Sequence, residues 1–572
     1  MKELIESEKL RLIVFKSASE LGKSIDKQLV EMYGYDPKKY TFLVPINEYF
    51  FEDGHSKVEI NSTVRGKELF FITDIGNYSI SYKMHGFYNH TSPNDLLQQL
   101  KDGINASNCH ADNINIIMPL LYNGRQHRRK TREPLSCGAS LRELDNLPRI
   151  KSFITFDAHD QGVEHATHNM EFDNIFVTNT ILEHFINDVP TEQLQNMVFV
   201  APDSGANGRR DIYLNSFNSE NVNRDAGGFY KVRDFNHFED GKYPVISHEY
   251  IGHSNLSGKT AIVVDDMISS GGSMFDTIEV LKSKGTDHIY IMVSYALFTK
   301  GIKEFKNYYD KKMLDGLYVS NLSYIPEEYK EEPWLHVCDC SKTVAEVIYN
   351  IYNDQSITSI LTDRSEPIKI LEKKFKMKEI IENIEKGNLV IVPTDTVYGI
   401  SCDATNKEAV EKVFTAKKRE KKPLIVMVSS IDMLKKYVKP LTDLEQKLVY
   451  KYWPNSLTIL FKKKNNLPDE ITCGSDYVGI RMPDNKFLLD LMEKIGKPIV
   501  STSANISGSD VITKISMLDP TLSKHISYIY DDGEKTNVAS TLIQVEDNKI
   551  KILREGELSD QIRRDFKAFI EE

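Results

Sequence analysis

The stretch from Lys259 to Gly285, KTAIVVDDMISSGGSMFDTIEVLKSKG, constrains this chain more than any other. Its apolar run, Ala261 to Val264, reads as a buried strand. Two carboxylates, Asp265 and Asp266, end that strand, a small polar loop spans Ser269 to Ser273, and helical spacing follows. Short apolar runs recur in RLIVF, ELFFIT, INIIMPL, MVFVAP and HIYIMVSYAL, with helical patterns between several of them. That alternation predicts an α/β fold with mainly parallel sheets.

A chain of 572 residues is too long for one hydrophobic core, so two to four domains are expected. Polar residues and a lysine-rich run, NDQSITSILTDRSEPIKILEKKFKMKE, mark a break. The expected division is 1–365, a linker over 366–376 read as a solvated segment or helix face, and a second region over 377–572. The net charge of -11 argues against general nucleic-acid binding. Six irregularly spaced cysteines predict reduced thiols and a cytoplasmic protein. The N-terminal segment lacks a leader-type apolar run, and no run approaches the roughly 18 apolar residues of a membrane span.

In open α/β sheets, ligands bind beyond the carboxyl ends of the strands. A tight strand-to-helix loop presents backbone N–H groups, and the helix N-terminus adds partial positive charge, which together cradle phosphate. Gly271 and Gly272 permit close backbone approach, while Ser269, Ser270 and Ser273 add hydroxyl donors. Two acids before such a cradle suit a ribose diol or a magnesium held through water. A sugar phosphate meets all of these demands.

This loop resembles the phosphoribosyl-pyrophosphate loop of type I phosphoribosyltransferases and of ribose-phosphate diphosphokinases. Five further segments resemble the diphosphokinases in order: FEDGHSKVEINSTVRGKELFFI, MPLLYNGRQHRRKTREPLS, TFDAHDQG, VFVAPDSGANGRR and FYKVRDF. The resemblance implies two phosphoribosyltransferase-type α/β subdomains and transfer of a diphosphoryl group from ATP to ribose 5-phosphate. It assigns ATP binding to Phe51, Asp53, Arg125 and Gln126, with Phe51 and Arg125 sandwiching adenine. It assigns catalysis to Lys231, Arg233 and His159, and Mg2+ to His159 and Asp203. Ribose 5-phosphate would be held by Asp203, Asp265, Asp266, Ser269, Ser270, Gly271, Gly272 and Ser273. The sequence departs from the family pattern at His55, His127 and Ser269, where acids are usual, and carries extra material around YSISYKMHGFYNHTSPNDLLQQL.

The second region offers a strand ending in PTDT, a helix carrying Lys417, Lys418 and Arg419, Arg481 after a strand, and the polar loop STSANISG. Such pieces supply cations for a triphosphate and hydroxyls for a small polar substrate. PTDTVYGI, KKREKKPLIVMV, VGIRMPDN, STSANISG and the closing ASTLIQ…KILREG resemble the threonylcarbamoyl-AMP synthase family. That resemblance implies a YrdC-like twisted α/β domain joining L-threonine, bicarbonate and ATP for tRNA modification. It places Thr394, Thr396, Lys417, Arg419, Arg481, Ser503, Asn505, Ser540 and Arg554 at the substrates.

The expected protein is thus a bifunctional ATP-using enzyme, a homo-oligomer that works with tRNA-modification proteins. Alternatives remain open: a first region that senses nucleotide or phosphoribosyl pyrophosphate, or is a phosphoribosyltransferase, and a second region that binds RNA. HEYIGH has the wrong spacing for a zinc protease, and SGKT precedes its strand, unlike a phosphate-binding P-loop.

Overall fold

The computed structural model describes residues 2–571, except 108, 130, 131, 218, 234–244, 419, 421 and 536–538; for 231–233 and 245–248 it describes the backbone only. The chain divides into two compact units, Met1–Glu372 and Lys373–Glu572. The boundary falls inside one helix, Ser365–Glu385. The segment 366–376, expected as a linker, is therefore helical, and it buries Leu371 and Phe375.

Two large sheets dominate the first unit, beside three two-stranded ones. One has five parallel strands in the order Glu171–Ile175, Ile150–Phe156, Asn113–Ile117, Glu68–Ile72, Leu10–Val14. The other has seven, in the order Val245–Ile251, Asn223–Arg233, Asn196–Ala201, Thr260–Ile268, His288–Ala296, Gly316–Ser320, Leu335–Cys338. All neighbours there run parallel except the antiparallel pair Asn223–Arg233 and Val245–Ile251. The strand Thr260–Ile268 is longer than its apolar run predicts. Asp265 pairs with Val293 and Met267 with Tyr295, so both acids lie within the strand. HEYIGH also falls on and just after a strand, and SGKT leads into one.

The extra material forms a hairpin, Ser81–Met84 with Phe87–His90, turned through His85 and Gly86 at positive φ. The helix Pro93–Ala106 follows, opened by a capping box between Ser92 and Asp95. Tyr82 of the hairpin stacks on Phe50, with ring centroids 4.3 Å apart.

Asp74, just past the strand Glu68–Ile72, ties the two sheets together. Its carboxylate accepts from Ser323 Oγ at 2.9 Å, Tyr324 N at 2.7 Å and Gly76 N at 2.9 Å. Burial pushes its pKa up to about 6 despite these donors. The folded state then holds the proton more tightly than the unfolded state does. This carboxyl favours folding below about pH 4, and that contribution is withdrawn as pH rises through about 6. The expected loss is about 3 kcal/mol across this window. Urea denaturation of Asp74→Asn between pH 4 and 7 should lack that slope.

The second unit is one nine-stranded mixed sheet. Its order is Tyr528–Ile529, Val390–Pro393, Tyr398–Asp403, Ile499–Ser503, Ile425–Met427, Tyr477–Arg481, Leu457–Lys462, Thr541–Glu546, Lys549–Arg554. Its core includes Ile380, Val413, Leu448, Leu488 and Ile562 from the helices and Val390, Ile400, Val426, Ile459 and Ile480 from the strands. Among the described residues no helix is long and apolar enough to cross a membrane.

Candidate active sites

In the first unit a cavity of about 970 Å³ opens at the carboxyl ends of strands from both sheets. Arg125, His159, Asp203, Asp265, Asp266, Ser269, Ser270, Gly271, Gly272 and Ser273 all line it. The helix Gly272–Ser283 starts directly at the loop, with Gly271 at φ +87° before it. A Cβ at Gly271 would come within 2.7 Å of the Phe305 ring, so both conformation and space demand glycine. The helix N-terminus thereby faces the cavity as an anion site.

Buried charge organises the floor. Arg209 donates from Nε to Asp157 Oδ1 at 2.7 Å and lies 3.9 Å from Asp265 Oδ1. Ser294 Oγ donates to the other Asp157 oxygen at 2.6 Å. His159 Nδ1 donates to Asp266 Oδ2 at 2.7 Å. The neighbouring acids therefore differ. Burial and the adjacent Asp266 hold Asp265 well above the usual carboxylate range. Burial also acts on Asp266, but the His159 hydrogen bond and the Arg209 charge outweigh it and hold that carboxyl below the usual range.

Other expected residues lie elsewhere. Phe51 is 46% exposed beside the hairpin Ile46–Phe50 with Ser56–Ile60 and does not line the cavity. Asp53 turns to His55, 3.2 Å away, and Gln126 is likewise not in the cavity wall. Lys231 and Arg233 end a strand, and their side chains lie outside the described residues. His127, which stands where an acid was expected, does line the cavity and pairs with Asp160 at 3.2 Å. Sequence reasoning missed Arg209. Its signal was its position in the helix Asn207–Asn215 that follows the Asp203 loop.

In the second unit a cavity of about 400 Å³ is lined by Thr394, Thr396, Arg481, Ser503, Ser540 and Arg554. The turn after Val390–Pro393 is closed on itself. Thr394 Oγ1 donates to Val397 O at 2.7 Å and accepts from Val397 N and Thr396 N. A Cβ at Gly399 would lie 2.2 Å from Ser501 Oγ, so a larger residue there would displace the Ser501 side chain.

Arg481 is 4% exposed, and its NH2 donates to Asp395. Burial, and then the positive charge of Arg554, lowers its pKa to about 10; the negative charge of Glu557 opposes this, and the group stays cationic at neutral pH. Among the described residues Arg481 Nε has no hydrogen-bond partner. A buried donor of that kind calls for an acceptor that a substrate would bring. Arg554 donates from NH2 to Ser540 Oγ at 2.7 Å and from Nε to Ser540 O at 3.0 Å.

Lys417 is buried and works from behind the wall. Its ammonium donates to the Ser503 carbonyl and to the Asn505 carbonyl at 2.8 Å. Asn505 accepts from Ser503 Oγ at 2.6 Å, so lysine and amide together shape this loop. Arg419 lies outside the described residues.

Comparisons with known proteins divide along the same lines. Residues 10–147 match the N-terminal domain of ribose phosphate pyrophosphokinase, and 248–362 match the phosphoribosyl synthetase-associated domain. Residues 382–556 match the Sua5–YciO–YrdC family described as telomere recombination. A solved phosphoribosylpyrophosphate synthetase from Mycobacterium smegmatis covers 60% of this chain and 99% of its own, at 20% identity and a TM-score of 0.48. The putative threonylcarbamoyl-AMP synthase of Methanocaldococcus jannaschii is 40% identical over 196 residues, 33% of this chain and 92% of that protein. The threonylcarbamoyl-AMP synthase of Pyrococcus abyssi is 34% identical over 188 residues, and the chain spans 55% of its length.

The chain is thus an α/β protein that joins a pyrophosphokinase-like region to a Sua5–YciO–YrdC domain. Through that second unit it belongs to the threonylcarbamoyl-AMP synthase family.

Proposed function

We propose that the second unit forms threonylcarbamoyl-AMP from L-threonine, bicarbonate and ATP, and that the first transfers a diphosphoryl group from ATP to the anomeric hydroxyl of ribose 5-phosphate. The observation that carries the first half of this reading is the pair Arg481 and Arg554 in a hydroxyl-lined cavity. Threonine amine adds to bicarbonate with loss of water, giving a carbamate. The carbamate oxygen attacks the ATP α-phosphorus, and diphosphate leaves. Bicarbonate, the carbamate, ATP and diphosphate are all anionic. Two fixed guanidinium groups in a recessed cavity therefore favour both the encounter and the pentacoordinate phosphorus. The Thr394–Thr396 turn would hold threonine, and Ser540 with Arg554 would meet ATP.

In the first unit the acids Asp265 and Asp266 would accept the ribose hydroxyls, and the Ser269–Ser273 loop would hold the 5-phosphate. Among the described residues no group of three or more His, Cys, Asp or Glu is arranged to hold a metal ion. The Asp203 carboxylate and the oxygen-rich wall suit magnesium, which binds through one or two carboxylates and substrate phosphates. Magnesium bound there with ATP would offset phosphate charge, with Asp203 and His159 as its protein contacts. Lys231 and Arg233 would neutralise charge on the transferred group.

The test uses the full chain with magnesium and ATP. Ribose 5-phosphate alone should give AMP, and Lys231→Ala should lower that rate at least 100-fold. Threonine with bicarbonate should give diphosphate, and neither alone should suffice. The placement of Phe51 and Asp53 outside the cavity favours one other reading, in which the first unit senses nucleotide. That reading requires no AMP, together with a rate of the threonine reaction that responds to ribose 5-phosphate.

A further inference from the structure

The strand Leu457–Lys462 runs beside the second cavity, and Leu460 lines it. Side chains alternate along a strand, so Thr458, two residues earlier, shares that face. Its ladder neighbours are Arg481 on one side and Leu542 on the other, and both line the cavity. Thr458 itself does not line it and is fully buried. A Cβ at Gly479 would lie 3.5 Å from Thr458 Cγ2, so the methyl faces that strand. The hydroxyl goes the other way, with Oγ1 3.2 Å from the Oγ of Ser540 in the cavity wall.

Counting protons sets the direction of that hydrogen bond. A hydroxyl offers one proton and two acceptor sites, and a guanidinium only donates. Arg554 NH2 donates to Ser540 Oγ at 2.7 Å. Among the described residues the Thr458 hydroxyl meets only Ser540. Were Ser540 the donor, the Thr458 proton would be left buried and unpaired, which is the costlier arrangement. Thr458 therefore donates, and with Arg554 it fills both acceptor sites of Ser540. What remains on Ser540 is its own proton, and that proton has the cavity in which to find an acceptor.

We infer that Thr458 is a positioning residue, which commits the Ser540 hydroxyl to donate into the cavity towards an anionic oxygen of the nucleotide. It does not touch substrate. Without it the Ser540 hydroxyl is held by Arg554 alone, and its proton is no longer aimed. The Thr394–Thr396 turn is closed by its own hydrogen bonds and uses neither hydroxyl. Loss of the Thr458 hydroxyl should therefore separate the two substrates. This inference rests on the synthase reading of the second unit.

The test is a double-variant cycle in the full chain, with Thr458→Val, Ser540→Ala and both together. Thr458→Val should lower kcat/KM for ATP in diphosphate release about 10-fold, with KM for threonine within about twofold of the parent. Thr458→Ser keeps the hydroxyl and should recover to within about threefold of the parent. In the Ser540→Ala background, Thr458→Val should cost less than about twofold more, because no hydroxyl remains to be aimed. Full additivity, no loss in Thr458→Val, or an equal loss in Thr458→Ser overturns the inference. If the parent chain releases no diphosphate with threonine and bicarbonate, the synthase reading fails by itself. Calorimetric titration of the same chains with β,γ-imido-ATP then decides the role of Thr458 separately, since binding at the first unit is common to all of them. Weaker binding in Thr458→Val that vanishes in the Ser540→Ala background upholds it, and weakening that persists there, or none at all, overturns it.

Discussion

Arg481→Ala is expected to lower threonine-dependent diphosphate release at least 1,000-fold and to destabilise the second unit by about 3–5 kcal/mol. Both effects have one source. The guanidinium is buried, donates to Asp395 and keeps Nε for an incoming acceptor. Removing it takes a cation from the cavity and strands a carboxylate that is itself mostly buried. Arg481→Lys keeps charge but loses the planar fork, so it should recover stability better than activity. The double variant Arg481→Met with Asp395→Val separates the two effects. Folding should return towards the parent, because no charge is left buried alone, while diphosphate release stays absent. Denaturation followed alongside the rate checks this, and return of activity in the double variant would refute a direct role for Arg481.

Arg209→Ala should be comparably severe in the first unit. Three carboxylates, Asp157, Asp265 and Asp266, share the Arg209 charge in a buried setting. Without it, about 3–5 kcal/mol of stability should be lost near neutral pH, together with AMP formation. The loss should depend on pH in a definite direction. Burial already raises Asp157 and Asp265, and removing the cation raises them further. Carboxyls with raised folded-state pKa values oppose folding increasingly as pH rises through those values. The variant should therefore lie closer to the parent at pH 5 than at pH 8. Denaturation midpoints at the two pH values provide the measurement, and a pH-independent deficit would contradict this account.

The α/β class was legible because several buried strands announce themselves as apolar runs of strand length. The end of Thr260–Ile268 was not, because two acids look like a terminus in isolation. Ladder pairing with His288–Ala296 carries the strand past them, and the acid side chains find polar partners at the cavity. The segment 366–376 read as a linker from its charge, yet Leu371 and Phe375 sit one turn apart and share a buried helix face. The loop residues of both cavities were visible in short motifs. The pairings that hold those motifs in place were not, since the partners are remote in sequence. Arg209 meets Asp157 across 52 residues, Arg481 meets Asp395 across 86, and Thr458 meets Ser540 across 82. Such pairs belong to the folded topology, and no local spacing encodes them.

The first cavity has a further property because its floor is shared. Asp157 and His159 follow a strand of the five-stranded sheet, while Ser294 and Asp266 lie on strands of the seven-stranded one and Arg209 on the helix Asn207–Asn215 beside it. Neither sheet alone contains the floor. Partial opening between them would erase the site while leaving each sheet intact, and a ligand bound across the seam would act as a clasp. Occupancy and closure are then a single equilibrium. Whatever binds there most tightly also selects how long this half of the chain remains shut.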